Sequence, residues 1–192
     1  MPRFICINGS LVTESKAKVS IFDRGLLFGQ GLFETLRVYS GQPFRLSDHL
    51  KRLCSSQGVV RMNIDFSEKQ LIESAFKLLE ANRMNDGILR LYIWKGPDKQ
   101  NLIISTQGDI PYKEYMYKRG FKAKIAKIRQ NEFSPLCRVK SLNYLNYLLA
   151  KEEAVAFGYD EAILLNTEGY VAEGAADFKH TLQLAAVVVV AH

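Results

Sequence analysis

Asn8-Gly9, set between the apolar runs 4–7 and 11–12, narrows the fold more than any other feature of the sequence. An Asn-Gly pair supplies the positive φ that a two-residue hairpin turn needs, so the flanking runs return antiparallel. Ser40-Gly41 closes the alternating run 33–39 in the same way, and residues 166–169 separate the run 160–165 from 170–172. Further strands are expected over 87–94, 102–106 and 121–128. Helical patterns lie between them. Ser47 reads as the N-cap of a helix carrying Asp48, His49, Leu50, Arg52 and Leu53, and Ser67 with Glu68 starts a second. The second helix shows the stripe Leu71, Ile72, Ala75, Phe76, Leu78 and Leu79. A third helix spans 144–157 and ends at Gly158, where a left-handed residue relieves the terminus. Hairpins mixed with helices, without regular βαβ alternation, make the class α+β in two parts. An N-terminal α/β domain is expected over 1–110. Residues 111–120, where periodicity is lost, read as the connection, and a second domain covers 121–192.

Composition excludes several functions. The chain has 192 residues and a net charge of +6. Residues 1–120 hold 18 basic against 12 acidic side chains, and the remainder is balanced. The excess is scattered rather than gathered on one element, which argues against nucleic acid as a partner. A positive field serves equally to attract a small anion. The apolar tail 184–191 is too short for a membrane span, and no charged-then-apolar leader precedes Phe4. Cys6, Cys54 and Cys137 are odd in number and far apart, with no CxxC or Cys/His cluster. Buried thiols in a reducing, cytoplasmic setting, and no metal site, are expected.

Three side chains attract attention on chemical grounds. Lys140 follows Ser134-Pro135 and is flanked by Val139, Leu142 and Leu145. Desolvation disfavours an ammonium, and a neutral amine can condense with a carbonyl. A surface lysine at a helix start is the alternative. Glu173 ends a short apolar strand and precedes Gly174-Ala175-Ala176, which would let backbone and ligand approach closely. Arg52 shares a helical face with His49 and could grip a phosphate, or simply pair with Asp48. Gly25, Gly29 and Gly31 do not form a G-x-G-x-x-G fingerprint, and no P-loop is present.

Taken in order, Asp23-Arg24-Gly25, Phe28-Gly29-Gln30-Gly31-Leu32-Phe33-Glu34 and His49-Leu50-Lys51-Arg52-Leu53 resemble the N-terminal domain of the fold-type IV pyridoxal-phosphate enzymes. Lys140-Ser141-Leu142-Asn143, Glu161-Ala162-Ile163-Leu164 and Val171-Ala172-Glu173-Gly174 are similar to the cofactor domain of the same class IV aminotransferases. That family includes branched-chain and D-amino-acid aminotransferases and aminodeoxychorismate lyase. The resemblance implies pyridoxal 5'-phosphate as cofactor and a homodimer. It also implies that Lys140 holds the cofactor and moves the α-proton, Arg52 contacts its phosphate, and Glu173 bonds its pyridine nitrogen. A positive ring nitrogen makes the cofactor a better electron sink. Tyr144 resembles the tyrosine at the phenolic oxygen, one residue closer to the lysine than usual. Phe33, Arg37 and Arg90 would face the substrate. The implied reaction moves an amino group between a small, branched-chain-like amino acid and a 2-oxo acid. Elimination from aminodeoxychorismate, in folate synthesis, is the alternative. The D-amino-acid enzymes carry an Arg-x-His where this chain reads Gly96-Pro97-Asp98-Lys99-Gln100, which argues against that specificity.

From about residue 176 the resemblance stops, so the cofactor domain is expected to be incomplete. Three expectations follow: a frameshifted or shortened product, an approximately assigned tail, or a short relative completing its site from a partner chain. A non-catalytic remnant is the rival to an enzyme. The Val-rich tail 187–190 has high β-propensity and no charge, and is expected to pair as a strand.

Overall fold

The computed structural model describes residues 3–110 and 114–175, together with the backbone of 188–189. The chain divides into two compact units, one of residues 1–110 with 138–143, the other of 111–137 with 144–192. The short return of 138–143 to the first unit, and with it Lys140, has no counterpart in the sequence pattern.

The first unit is built on a six-stranded sheet in the order β2-β1-β6-β5-β3-β4. Its strands are β1 (Phe4–Ile7), β2 (Ser10–Thr13), β3 (Gly31–Tyr39), β4 (Gln42–Pro43), β5 (Gly87–Lys95) and β6 (Gln100–Gln107). All neighbours run antiparallel. Asn8 and Gly9, at φ 49° and 82°, make the hairpin that the sequence announces. Register pairs Leu32 with Ile93, Glu34 with Leu91 and Leu36 with Leu89. Because side chains alternate, these residues share one face with Leu102 and Ile104, all of them buried. Phe33, Thr35, Arg37, Arg90 and Tyr92 share the other face.

Helices α1 (Arg24–Phe28), α2 (Leu46–Ser55) and α3 (Glu68–Ala81) complete the unit. α3 contacts β1 and β6, and α2 contacts β3. Leu50 and Leu53 of α2, and Leu71, Ala75, Leu78 and Leu79 of α3, are buried, whereas Phe76 is 38% exposed. Ser67 caps α3 through a complete capping box with Gln70. The start of α2 differs from expectation. Arg45, in the left-handed region at φ 53°, is its N-cap, and Ser47 lies inside the first turn. Arg45 Nε donates to Asp48 Oδ2 at 2.7 Å, tying the turn together with an ion pair in place of a hydroxyl cap.

The second unit carries a four-stranded sheet in the order β10-β7-β8-β9. It comprises α4 (Glu114–Arg119), β7 (Lys122–Gln130), α5 (Leu145–Ala156), β8 (Glu161–Asn166), β9 (Val171–Gly174) and β10 (Val188–Val189). A short helix therefore occupies part of the stretch read as a connection. β7 and β8 are parallel, with α5 between them in sequence, so the strand–helix–strand pattern of this region is one crossover unit in a chain without regular βαβ alternation. β10 pairs parallel with Lys122-Ala123, which places this part of the valine run in a sheet. The core beneath α5 is made of small residues: Ala126, Ala150, Ala154, Ala162 and Ala175 around Leu164.

Removing the α3 cap should be felt without disturbing any core contact. Ser67→Ala should cost about 1 kcal/mol, read as a lower urea midpoint for the first unit by α-helical circular dichroism.

Candidate functional site

Lys140 belongs to a segment that extends the sheet of the first unit. β4 covers only the far end of β3, through pairs at Val38 and Tyr39, and leaves the Gly31–Phe33 edge open on that side. Residues 140–142 fill it. Phe33 N donates to Lys140 O at 2.9 Å, Leu142 N donates to Gly31 O at 3.0 Å, and Leu32 and Ser141 form an antiparallel bridge. Asn143 Nδ2 adds a bond to Gly29 O at 2.9 Å. Close approach requires glycine at position 31. A Cβ there would stand 2.6 Å from Leu142 Cδ1 and 2.8 Å from Ile93 O.

The seam sets Lys140 above the sheet face that holds the expected substrate-side residues. Lys140 Nζ lies 4.8 Å from the centroid of the Phe33 ring. Phe33 in turn stacks on Tyr92, with centroids 6.3 Å apart. Burial pushes the Tyr92 phenol up, so it is a hydroxyl at neutral pH. Arg37 and Arg90 lie on the same face by strand alternation. Arg37 Nη1 donates to Gly87 O at 3.1 Å, and Arg90 Nη1 donates to Gln107 Oε1 at 2.6 Å. Each guanidinium is thus tethered by a hydrogen bond to its own sheet. Tyr92 carries no signal of its own in the sequence, and only the β3–β5 pairing identifies it as the cross-strand partner of Phe33.

Arg52 reaches from α2 and does not pair with Asp48. Its Nε and Nη2 donate to the two oxygens of Glu34 at 2.7 and 2.6 Å. Glu34 is fully buried, while the Arg52 side chain is 46% exposed. His49 Nδ1 stands 2.8 Å from Glu34 Oε2 and 3.2 Å from Arg52 Nη2. A carboxylate only accepts, so Nδ1 carries a hydrogen toward Glu34, and the arginine contact is proximity rather than a bond. Burial alone would raise the Glu34 pKa, but the Arg52 and His49 hydrogen bonds and charges outweigh it and hold the carboxyl below its usual range. The same carboxylate raises Arg52 further. Glu34 consumes two donor positions of the fork. The Nη1 edge has no partner among the described residues and is left for an anion. Glu34 was legible only as part of a motif, because its partners lie on another element.

The second unit holds Glu173 and Tyr144. Glu173 Oε1 accepts a hydrogen bond from the Tyr147 hydroxyl at 2.9 Å. Tyr144 stacks on Tyr147 with centroids 4.7 Å apart, and its own hydroxyl donates to Ala175 O. Burial, with the Glu173 hydrogen bond and charge, pushes the Tyr147 phenol well above its usual range. Among the described residues no group of three or more His, Cys, Asp or Glu side chains could hold a metal ion. A separate cleft of about 250 Å³, lined by Asp23, Trp94, Lys18 and Lys99 among others, lies in the first unit and includes none of the expected site residues.

Known proteins share this arrangement of chain. The family model "Amino-transferase class IV" matches residues 31–177. A Methanocaldococcus jannaschii protein, provisionally assigned as a branched-chain-amino-acid aminotransferase, is 36% identical over 181 residues, covering 90% of this chain and 63% of its own. A D-alanine aminotransferase of Staphylococcus aureus is 32% identical over 83% of this chain and 59% of its own. Among solved structures, the branched-chain aminotransferase of the thermophilic archaeon Thermoproteus uzoniensis, with norvaline, superposes with a TM-score of 0.80 at 30% identity, over 91% of this chain and 63% of that one. The chain spans about three fifths of the length of the curated relatives it matches.

The Glu34 network carries a pH dependence of fixed sign. Its folded pKa is depressed, so the stabilisation is complete above the unfolded value of about 4.3 and is lost as pH falls through the lower folded value. Glu34→Gln should cost about 2–3 kcal/mol at neutral pH, the lower end for a broken buried pair because Arg52 is half in solvent. Urea unfolding at a series of pH values should show the variant losing part of the acid-side decline seen in the native chain.

Proposed function

The chain belongs to the class IV aminotransferase family, and from that premise we propose that it takes part in pyridoxal-phosphate-dependent transfer of an amino group between a small amino acid and a 2-oxo acid. The observation that carries this reading is the placement of Lys140, sutured to the β3 edge with its amine above Phe33. The donor set fits the cofactor. An amine suits its aldehyde, the open edge of a fixed guanidinium suits its phosphate, and an oriented carboxylate suits its ring nitrogen. In this reading Lys140 holds the cofactor through Nζ, Arg52 takes the phosphate and Glu173 the ring nitrogen. The bound cofactor supplies an electron sink for negative charge at the substrate's α-carbon.

The remaining work falls to this chain's side chains. Lys140 Nζ takes the α-proton and returns it as general base and acid. Phe33 and Tyr92 give the amine an apolar floor that excludes water. Arg37 and Arg90, on the same face, offer positive charge to a substrate carboxylate. The hydroxyl of Tyr144 is committed to Ala175 O, so its contribution toward the cofactor is as a ring and an acceptor. The loop Gly96-Pro97-Asp98-Lys99-Gln100 lacks the Arg-x-His of D-amino-acid enzymes, which favours branched-chain-like substrates.

A homodimer and a cytoplasmic location complete the proposal. Val19, Ile21, Phe22, Leu26, Leu27 and Phe28 are each more than half exposed within one short stretch around α1. A soluble monomer rarely presents such a concentration of large apolar side chains, and a second copy of the chain suits a patch of this kind. Cys6, Cys54 and Cys137 are unpaired thiols, in keeping with a reducing compartment.

Two measurements test these statements. Incubation with pyridoxal phosphate, borohydride reduction and peptide mapping should place a cofactor-sized adduct on Lys140, absent in Lys140→Ala. Adducts spread over exposed lysines would refute the reading and favour a non-catalytic remnant. In sedimentation at micromolar concentration the native chain should run as a dimer and Phe28→Asp as a monomer with an unchanged circular dichroism spectrum. A native monomer would refute the assignment of the patch to a second copy of the chain.

A further inference from the structure

Glu173 sits on the short strand β9, opposite Leu164, with little of its own element to hold the carboxylate in place. Its support comes from elsewhere. Tyr147, in the first turn of α5, donates its hydroxyl to Glu173 Oε1 at 2.9 Å. Gln130, the last residue of β7, donates from Nε2 to the Tyr147 oxygen at 3.2 Å. The direction of this chain is fixed by chemistry. A carboxylate can only accept, so the phenol must donate, and its lone pair is then free to receive the amide hydrogen. Burial and the neighbouring carboxylate keep the phenol protonated across any working pH. The stacked Tyr144 ring, 4.7 Å from that of Tyr147, restricts the phenol from the side.

Gln130 shows what the arrangement sacrifices. Its Oε1 is buried and has no partner among the described residues. Turning the amide over would not help, because the phenol hydrogen is already committed to Glu173. An unpaired buried acceptor is unfavourable, and such groups call for an explanation. Here the explanation is that the amide is oriented for Tyr147, and Tyr147 for Glu173.

We propose that Tyr147 is a positioning residue that holds Glu173 by Oε1, so that Oε2 is the oxygen offered to the ring nitrogen of a pyridine cofactor, with Gln130 fixing Tyr147 in turn. This rests on the assignment of Glu173 to that nitrogen. Oε2 has no hydrogen-bond partner among the described residues, as such a role needs. Tyr147 does no chemistry itself; it removes the freedom of a carboxylate that would otherwise turn about its own bond.

A double-mutant cycle on the full chain separates positioning from mere structural support. Tyr147→Phe keeps the ring and its stacking and removes only the hydroxyl. Pyridoxal phosphate itself is the probe, titrated by its absorbance and by quenching of Trp94 fluorescence. Tyr147→Phe should weaken binding about tenfold, in line with loss of a hydrogen bond to a charged group, and should shift the absorbance band of the bound cofactor. In a Glu173→Gln background the same change should have no further effect on either quantity. Thermal unfolding without cofactor should fall more for Tyr147→Phe in the native background than beside Glu173→Gln, because the bond to the charged carboxylate is itself lost, so affinity and band position are the readouts of positioning. Equal weakening of binding in both backgrounds, or an unaltered affinity and band in Tyr147→Phe, would overturn the proposal. If borohydride traps the cofactor on Lys140 while the cycle is additive, only the positioning role fails. If the native chain traps nothing on Lys140, the assignment of Glu173 and the role of Tyr147 fall together.

Discussion

The antiparallel bridge between the open edge of β3 and residues 140–142 is the contact on which the arrangement of the first unit's chemistry depends. Two backbone hydrogen bonds fix the height and register of Lys140 over the sheet. Backbone pairing fixes position more tightly than side-chain packing, because each bond constrains distance and direction together. Register then dictates neighbours. With Leu32 opposite Ser141, Phe33 must stand beside Lys140 and Glu34 must turn to the other face. A slip of one residue along β3 would exchange those faces and put a carboxylate beneath the amine and an aromatic ring into the helix layer.

β3 is therefore a strand with two kinds of work. Its Leu32, Glu34 and Leu36 face the helices, and its Phe33, Thr35 and Arg37 face away from them. Glu34 is the exception on an apolar face, and it is tolerated because Arg52 and His49 both come to it from α2. The ion pair also fixes the direction of the guanidinium, as a bidentate fork does whenever both oxygens are taken. Stability and the fixed orientation of the remaining guanidinium edge thus come from one set of bonds.

Much of this was legible in the sequence where the signal is local. Asn8-Gly9 forms its hairpin, Ser67 caps its helix, and the alternation of 33–39 becomes β3, because in each case adjacent residues decide the outcome. The departures have a common cause in partners distant along the chain or in a competing neighbour. Ser47 is a good cap by type, yet Arg45 takes the left-handed position and pairs with Asp48, leaving Ser47 within the helix. Arg52 turns from Asp48 on its own helix to Glu34, eighteen residues away on another element. The return of 138–143 to the first unit, the β7–α5–β8 crossover and the triad of Gln130, Tyr147 and Glu173 likewise join segments that no window of sequence shows together. Lys140, Arg52 and Glu173 were visible through their motifs; Glu34 stood in one without its role showing, and Tyr147 and Gln130 carried no signal.

The alanine-lined layer under α5 ties the second unit's core to its chemistry. Ala150 and Ala154 of the helix share a buried cluster with Ala126, Ala162 and Ala175, so the helix rests on the sheet largely through methyl groups. The helix that rests on these methyl groups begins with the two tyrosines that reach Glu173 and Ala175. A close-packed layer of the smallest side chains has little room for added volume, so a larger residue in that row strains the base on which the tyrosine-bearing turn stands while leaving every polar residue intact. Relatives with the same polar residues could thus differ in activity through changes that look conservative, and sequence comparison confined to the polar set would miss them.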